Sequence, residues 1–347
     1  MTAAEHCCLL PFPPRAGRLI SLVPLVSSRT CGGGRGCPFF ILDTDMQIFN
    51  TLLARAIPCF PRAAIIRISR RYIAGDTLAH ALARVRQLNS EGFRVTLDVL
   101  GETVSTLQRA DATATEYIDA LEAIAADGLL ATVSIKPSAL GLLLDTAHCE
   151  RLARRILASA RQNDNSVCID MEDVRCTQLE IDLFLRLQRD HDNVALALQA
   201  YLQRTYQDVE ILARTGTSLR ICKGIYVEER SHLVDQAWHD RRAINAHYLN
   251  HVARCFDAGA FVAIATHDAK LVGQVIALAS SKGIERARFE FQLLLGVCEP
   301  LRDQLRDQGY GVRIYVPFGA DWYGYSTRRL KESPAIAGHV ARALIGF

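Results

Sequence analysis

Eight short apolar runs recur along the chain, and between successive runs lies a stretch with helical periodicity. The runs are Val95 to Leu100, Thr132 to Ile135, Val167 to Met171, Val194 to Gln199, Leu219 to Cys222, Phe261 to Thr266, Phe289 to Leu293 and Val312 to Val316. They are mostly continuous rather than alternating, as expected of strands buried on both faces of a parallel sheet. Strict alternation with helices gives an α/β class, and eight such units over about 250 residues fit a closed (β/α)8 TIM barrel. No strand is followed by a G-x-G-x-x-G turn, so an open dinucleotide-binding sheet lacks its usual mark.

The intervening helices are expected over Thr77 to Glu91, Thr113 to Ala126, His148 to Arg161, Thr177 to Arg189, Tyr206 to Thr215, Ser231 to Asp257, Lys270 to Lys282 and Glu299 to Gln308. Thr113 and Glu116 have the spacing of a capping box, and Gly128, Gly283 and Gly309 stand where helices stop. An N-terminal helix is expected over Ile48 to Ser69, and a helix near Ala335 to Leu344 would close the fold. Residues 1–45 have another texture. Prolines crowd positions 11–14, a GGGRG run occupies 32–36, and Glu5 is the one acid before Asp43. That segment is expected to be a disordered extension, or translated sequence upstream of the true start, with residues 46–347 forming the barrel. The GGGRG run lacks a following GK[ST] and is no phosphate loop.

Composition removes several classes. A net charge of +3 over 347 residues, without a basic run interleaved with aromatics, gives no footprint for nucleic acid. No apolar stretch reaches the length of a membrane span. The eleven cysteines include no CxxC pair, which suits a reduced, cytoplasmic chain.

In a barrel of this kind, function gathers at the C-terminal ends of the strands. Those ends carry Glu102, Lys136, Asp170, Gln199, Lys223, His267, Gln292 and Tyr315. A polar or ionisable group at every strand end is more than solvation requires. Asp170 and Glu172 flank Met171; on an extended strand both acids would face one way, a spacing that could hold a metal or act as acid and base. Thr266-His267-Asp268 could supply a base or a helix cap. His247 and His251 have the i, i+4 spacing of a zinc helix, but they lie mid-helix without the accompanying glutamate, and a solvated face is the expected reading. Arg328 and Arg329 follow the eighth strand. Two guanidinium forks there could close on one small carboxylate.

Eight segments, in order, carry a family resemblance: Leu97-Asp-Val-Leu-Gly-Glu102, Ser134-Ile-Lys-Pro-Ser-Ala-Leu140, Ile169-Asp-Met-Glu172, Leu198-Gln-Ala-Tyr201, Arg220-Ile-Cys-Lys-Gly-Ile-Tyr226, Ala265-Thr-His267, Phe289-Glu-Phe-Gln-Leu-Leu-Leu-Gly296 and Tyr325-Ser-Thr-Arg-Arg-Leu-Lys-Glu332. Together they resemble proline dehydrogenase, and the length suits its monofunctional bacterial form. The resemblance implies a distorted (β/α)8 barrel with FAD at its mouth. It implies oxidation of L-proline to Δ1-pyrroline-5-carboxylate, hydride passing from C5 to flavin N5 and electrons to a quinone. Peripheral contact with the inner membrane would follow from the quinone.

Carried over by position, Lys136, Arg328 and Arg329 would bind the proline carboxylate, with Tyr315 against the ring. Arg220 resembles the arginine near flavin N5, and Asp170 the aspartate supporting it. Met171, Gln199, Lys223, Gly224, Ile225, Thr266, His267 and Glu332 match FAD contacts. Glu102 resembles a gate acid that pairs with Arg328. Three positions depart from the family pattern: Ile225 stands where alanine is usual, Val227 where some members have an aromatic, and Ser333 where asparagine is common. Two bland rivals stand beside this reading: a flavin-free, metal-dependent lyase using Asp170 and Glu172, and a non-catalytic amino-acid-binding barrel.

Overall fold

The computed structural model describes residues 71–101, 103–323 and 325. The helices expected over Ile48 to Ser69 and Ala335 to Leu344, and Glu102, Arg328, Arg329 and Glu332, lie outside the described residues.

Eight parallel strands close a barrel in chain order. They are β1 (Arg94–Val99), β2 (Ala131–Ile135), β3 (Val167–Ile169), β4 (Val194–Gln199), β5 (Ser218–Cys222), β6 (Phe261–Ala265), β7 (Phe289–Leu294) and β8 (Val312–Phe318). Closure is made by β8 on β1, in a register running from Arg94 beside Arg313 to Val99 beside Phe318. The described helices are α1 (Leu78–Ser90), α2 (Leu107–Ala126), α3 (Thr146–Gln162), α4 (Val174–Leu187), α5 (Thr205–Leu212), α6 (Ile244–Asp257), α7 (Ala269–Ser281) and α8 (Glu299–Asp307).

Side-chain alternation gives each strand an apolar outer face, and an inner face that is polar on β1 and β8 and small on β4 and β6, where Ala195, Ala197, Ala263 and Ala265 line the interior. On β1, Val95, Leu97 and Val99 join the buried apolar shell under the helices, while Asp98 lines the cavity at the mouth. On β8, Val312, Ile314 and Val316 join that shell. Tyr315 lies in the mouth, and Arg313 lies lower in the barrel. The lower interior is held by Arg313, whose Nε donates to Glu290 at 2.6 Å and whose Nη1 donates to Val95 O at 2.9 Å. Gln292 donates to the same Glu290 oxygen at 2.8 Å. Charged groups therefore stand where barrels usually pack branched aliphatics, and each such charge needs a partner inside the barrel.

Several sequence expectations on boundaries are corrected. Helix α2 begins six residues before Thr113, with Thr106 as the cap accepting from Arg109 N at 3.3 Å. Thr113 is buried within that helix and donates to Arg109 O, and Glu116 pairs with Arg109, so no capping box forms there. Helices α3 and α4 likewise start earlier than expected, because Asp145 and Asp173 are their caps. The long helix expected from Ser231 exists only from Ile244. Its first half is drawn into pairing with the loop after β4: Gln203 N donates to His232 O at 2.9 Å and Val234 N to Tyr201 O at 2.8 Å. Leu233 and Val234 are buried there, and Gln236 adopts φ +64°, which breaks any helix.

His251 is fully buried, not on a solvated face. It packs edge-on against Tyr206 at 4.5 Å, and His247 Nδ1 shares a 2.7 Å hydrogen bond with the Tyr206 hydroxyl. Burial, with His247 and Arg254 adding to it, pushes His251 down to about 4, so it is neutral around neutral pH.

Candidate active site

One cavity of about 560 Å³ opens at the C-terminal ends of the strands. Lys136, Asp170, Met171, Gln199, Arg220, Lys223, Gly224, Ile225, Thr266, His267, Gln292 and Tyr315 all line it. The strand-end candidates that fall within the described residues thus share one wall system, whereas Glu172, His247 and His251 do not line it.

Asp170 is the hub. Strand β3 stops at Ile169, and the Asp170 backbone N–H still donates to Ile135 O, which fixes where the side chain emerges. Its carboxylate accepts from Ser134 Oγ at 2.5 Å, Arg220 Nη1 at 2.6 Å, the Tyr315 hydroxyl at 2.6 Å and Lys136 Nζ at 3.3 Å. Burial works against its ionisation, but Lys136 and Arg220, with the bonds from Ser134 and Tyr315, outweigh burial and hold the carboxyl below its usual range. Arg220 is buried, and its ring neighbour Tyr315 lies 5.5 Å from the guanidinium. Burial opposes the charge of Arg220, yet its neighbours keep it firmly cationic.

Asp98 was not singled out from the sequence. It is fully buried and accepts from Lys136 Nζ at 2.5 Å. Burial pushes its carboxyl up to about 6 against the pull of Lys136, and the charge of Asp170 pushes the same way. Lys136 is raised instead, because two carboxylates act on it and together overcome its own burial.

The expected common facing of Asp170 and Glu172 does not occur. With the strand ended at Ile169, alternation lapses: Asp170 and Met171 both line the mouth, and Glu172 turns into the protein. Glu172 accepts from Ser138 N at 2.8 Å and Ser138 Oγ at 2.5 Å, and its backbone N–H donates to Glu180 Oε2 at 3.1 Å. Gln199 donates to Glu172 O at 2.8 Å. Glu172 thereby ties the loop carrying Lys136 to the loop carrying Asp170. Glu180 is fully enclosed; burial first, then the Glu172 charge, pushes its carboxyl well above the usual range.

On the opposite wall, Lys223 Nζ donates to Asp268 at 2.9 Å, and Asn245 donates to the same oxygen at 3.0 Å. Burial opposes ionisation of Asp268, but those two bonds prevail and bring it to about 2. The other Asp268 oxygen caps α7 through Lys270 N and Leu271 N. His267 Nε2 accepts from Leu294 N at 2.9 Å, so the ring proton sits on Nδ1. Gly224 has φ +99°, and a Cβ there would lie 2.2 Å from the Tyr201 ring. Only glycine can follow Lys223 in this loop.

The barrel and its charge-paired mouth define a (β/α)8 enzyme of the kind that works on a small polar substrate. The sequence matches the family described as Proline dehydrogenase over residues 81–342. Proline dehydrogenase 2 of Bacillus subtilis is 36% identical over 266 residues, covering 76% of this chain and 86% of that protein. The proline dehydrogenase of Deinococcus radiodurans is 32% identical over 290 residues, covering 82% and 92%. Proline utilization A from Bdellovibrio bacteriovorus, solved after inactivation by N-propargylglycine, superimposes with a TM-score of 0.73 at 18% identity, over 84% of this chain and 37% of that one. That likeness bears on the fold. The chain belongs to the proline dehydrogenase family, and its activity is the oxidation of proline.

Proposed function

We propose that the mouth holds FAD and L-proline together, as the sequence resemblance implies. When bound, FAD would accept at N5 the hydride leaving C5 of L-proline, giving Δ1-pyrroline-5-carboxylate, and would pass the electrons to a quinone. The observation that carries this reading is Arg220: it lines the mouth, is buried, is held by Asp170 through one terminal nitrogen, and has no partner for Nε among the described residues. A buried donor of that kind suits an electron-rich ring nitrogen or carbonyl.

The chain's own groups divide the work. Lys136, with Arg328 and Arg329 from beyond the described residues, orients the substrate carboxylate. Charge-assisted bonds from several cations fix both distance and angle, which is where much of a positional rate gain arises. Asp170 keeps Arg220, Lys136 and Tyr315 in one arrangement. Tyr315, its hydroxyl tied to Asp170, presents its ring to the substrate. Met171, Gln199, Lys223, Gly224, Ile225, Thr266, His267 and Glu332 would contact the cofactor, and Glu102 would pair with Arg328 as a gate. A quinone acceptor brings peripheral contact with the inner membrane; among the described residues no helix is long and apolar enough to cross it.

The test is the visible spectrum of the purified protein and its response to L-proline without oxygen. Flavin bands that bleach on adding L-proline are expected. A colourless protein, or bands that L-proline leaves untouched, would overturn the reading.

A further inference from the structure

Lys136 has three N–H donors, and three acceptors already surround it: Asp98 at 2.5 Å, Tyr315 OH at 3.2 Å and Asp170 at 3.3 Å. A ligand carboxylate that engages this ammonium must therefore displace one of them. Asp170 can give way without loss of ionisation, since Arg220, Ser134 and Tyr315 also hold it. Asp98 is less well supported: Lys136 is its one salt-bridge partner among the described residues and Oδ2 has no hydrogen-bond partner there, so whatever share of the ammonium a ligand takes weighs most on Asp98. The shortest of the three contacts is also the one on the weaker anion, because the Asp98 side chain is only 1% exposed.

We propose that Asp98 is a proton acceptor linked to carboxylate binding: as a ligand carboxylate takes a share of Lys136, Asp98 loses part of that ammonium's hold and gains one proton from solvent. The N–H···O contact is exchanged, one O–H bond forms on Asp98, and no electrons move. The inference rests on the reading of Lys136 as the carboxylate's anchor.

Burial supports it. Asp98 and Asp170 already share Lys136, and a further carboxylate on that ammonium adds negative charge beside an acid that is fully buried. The groups facing Asp98 leave no better acceptor. Lys136 directly follows β2 and Asp170 directly follows β3, with Arg220 of β5 behind it. Tyr315 comes from β8 and Tyr117 from α2. Both tyrosines are driven further from ionisation, burial being the first cause and the Asp98 and Asp170 charges adding to it. Once protonated, Asp98 can donate its O–H to the carboxylate that shares its ammonium. A ring that has replaced its amine by oxygen would then bind more weakly as pH rises, while proline itself needs its own amine deprotonated and so pulls the other way.

The experiment is calorimetric titration of the full chain, with its cofactor, using tetrahydro-2-furoate, which has the proline skeleton but no basic nitrogen. Heats are compared between Tris and phosphate near neutral pH, where differing buffer ionisation enthalpies report proton uptake. Wild type is expected to take up more than half a proton per ligand. Asp98→Asn is expected to bind with almost none, and with an affinity that no longer falls at alkaline pH. Buffer-independent heats in wild type, with the analogue bound normally, would overturn the linkage alone, even if Asp98→Asn does not fold. Equal uptake in wild type and Asp98→Asn would assign the proton elsewhere and overturn it too. Affinity unchanged in Lys136→Met would instead overturn the reading of Lys136, and the linkage with it.

Discussion

Asp170→Asn tests the hub most directly, because the substitution keeps size and shape. The carboxylate now receives four donors: two hydroxyls, Arg220 and Lys136. A carboxamide offers one oxygen and turns two N–H groups toward donors that need acceptors. Two of the four contacts should survive, and the two cations lose their shared anion. Each lost charge-assisted bond is worth about 1.5–3 kcal/mol. Leaving a buried charge without its partner costs about 3–5 kcal/mol by the broader precedent, which agrees. The expected loss of stability is therefore roughly 3–5 kcal/mol, or on the order of 5–10 °C in Tm for a barrel of this size. It should come with a higher KM for proline and a lower kcat, since Lys136 and Arg220 both lose their orientation. The pH dependence has a definite sign. A carboxyl held below its unfolded value stabilises above about pH 4 and ceases to do so as pH falls through its folded value. The wild type should lose part of its stability on that acid limb, and the variant should not show that part. Urea unfolding at neutral and acid pH, with proline kinetics at neutral pH, provides the check. An Asp170→Asn protein with wild-type Tm and kcat/KM would refute the idea that this carboxylate organises the site.

Three further outcomes are expected. Burial and the Glu172 charge push the Glu180 carboxyl well above its usual range, so the proton it retains stabilises fully below the unfolded value of about 4.3 and that stabilisation is lost progressively as pH rises toward the folded value; Glu180→Gln should unfold like wild type in acid and gain on it in alkali, and a variant weaker at both ends would sink this account. Gly224→Ala should lower the flavin-to-protein ratio and the Tm, because a Cβ 2.2 Å from a buried ring costs about 1–3 kcal/mol of overpacking, before any penalty for φ +99°. Wild-type L-proline should be preferred over trans-4-hydroxy-L-proline by kcat/KM, and Tyr315→Ser should narrow that gap at some cost in rate, since the serine cannot reach Asp170 as the phenol does; an unmoved ratio would show that Tyr315 is not the selector.

All eight strands were legible because both faces of each are buried and the apolar runs are bounded by polar ends. The mouth was legible for the same reason: a polar residue where an apolar run stops has to face something. Asp98 escaped because it lies inside an apolar run, Leu97-Asp-Val99, one residue before β1 ends. The available signal was the charge itself, since an acid in a doubly buried strand must point to the barrel axis and find a cation there. Glu290 and Arg313 carry the same signal on β7 and β8, and the Ser134 hydroxyl is a weaker, uncharged form of it on β2. Glu172 was misread in the opposite way. Strand periodicity was carried two residues past the end of β3, and nothing local marks that end. The first half of the long helix failed for a tertiary reason, since a polar, helix-compatible segment was claimed by backbone pairing with residues 201–203.

Barrel closure gives these separate signals one meaning. Lys136 and Tyr315 are 179 residues apart, and Asp170 and Tyr315 are 145 apart, yet both pairs are within hydrogen-bond reach. Neither contact exists until β8 has docked on β1. The buried charges are costly before that point and paired after it, so the site and the closed sheet depend on the same step. A substitution in the hub should therefore act twice, once on binding and once on the last stage of closure. Asp98 stands at that seam. It lies on β1, in register with Pro317 of β8, and its ammonium partner comes from β2 on the other side. Protonation of Asp98 when a carboxylate arrives would remove one buried negative charge beside the seam, so the mouth could accept an anion without setting two unscreened carboxylates against the sheet that built it.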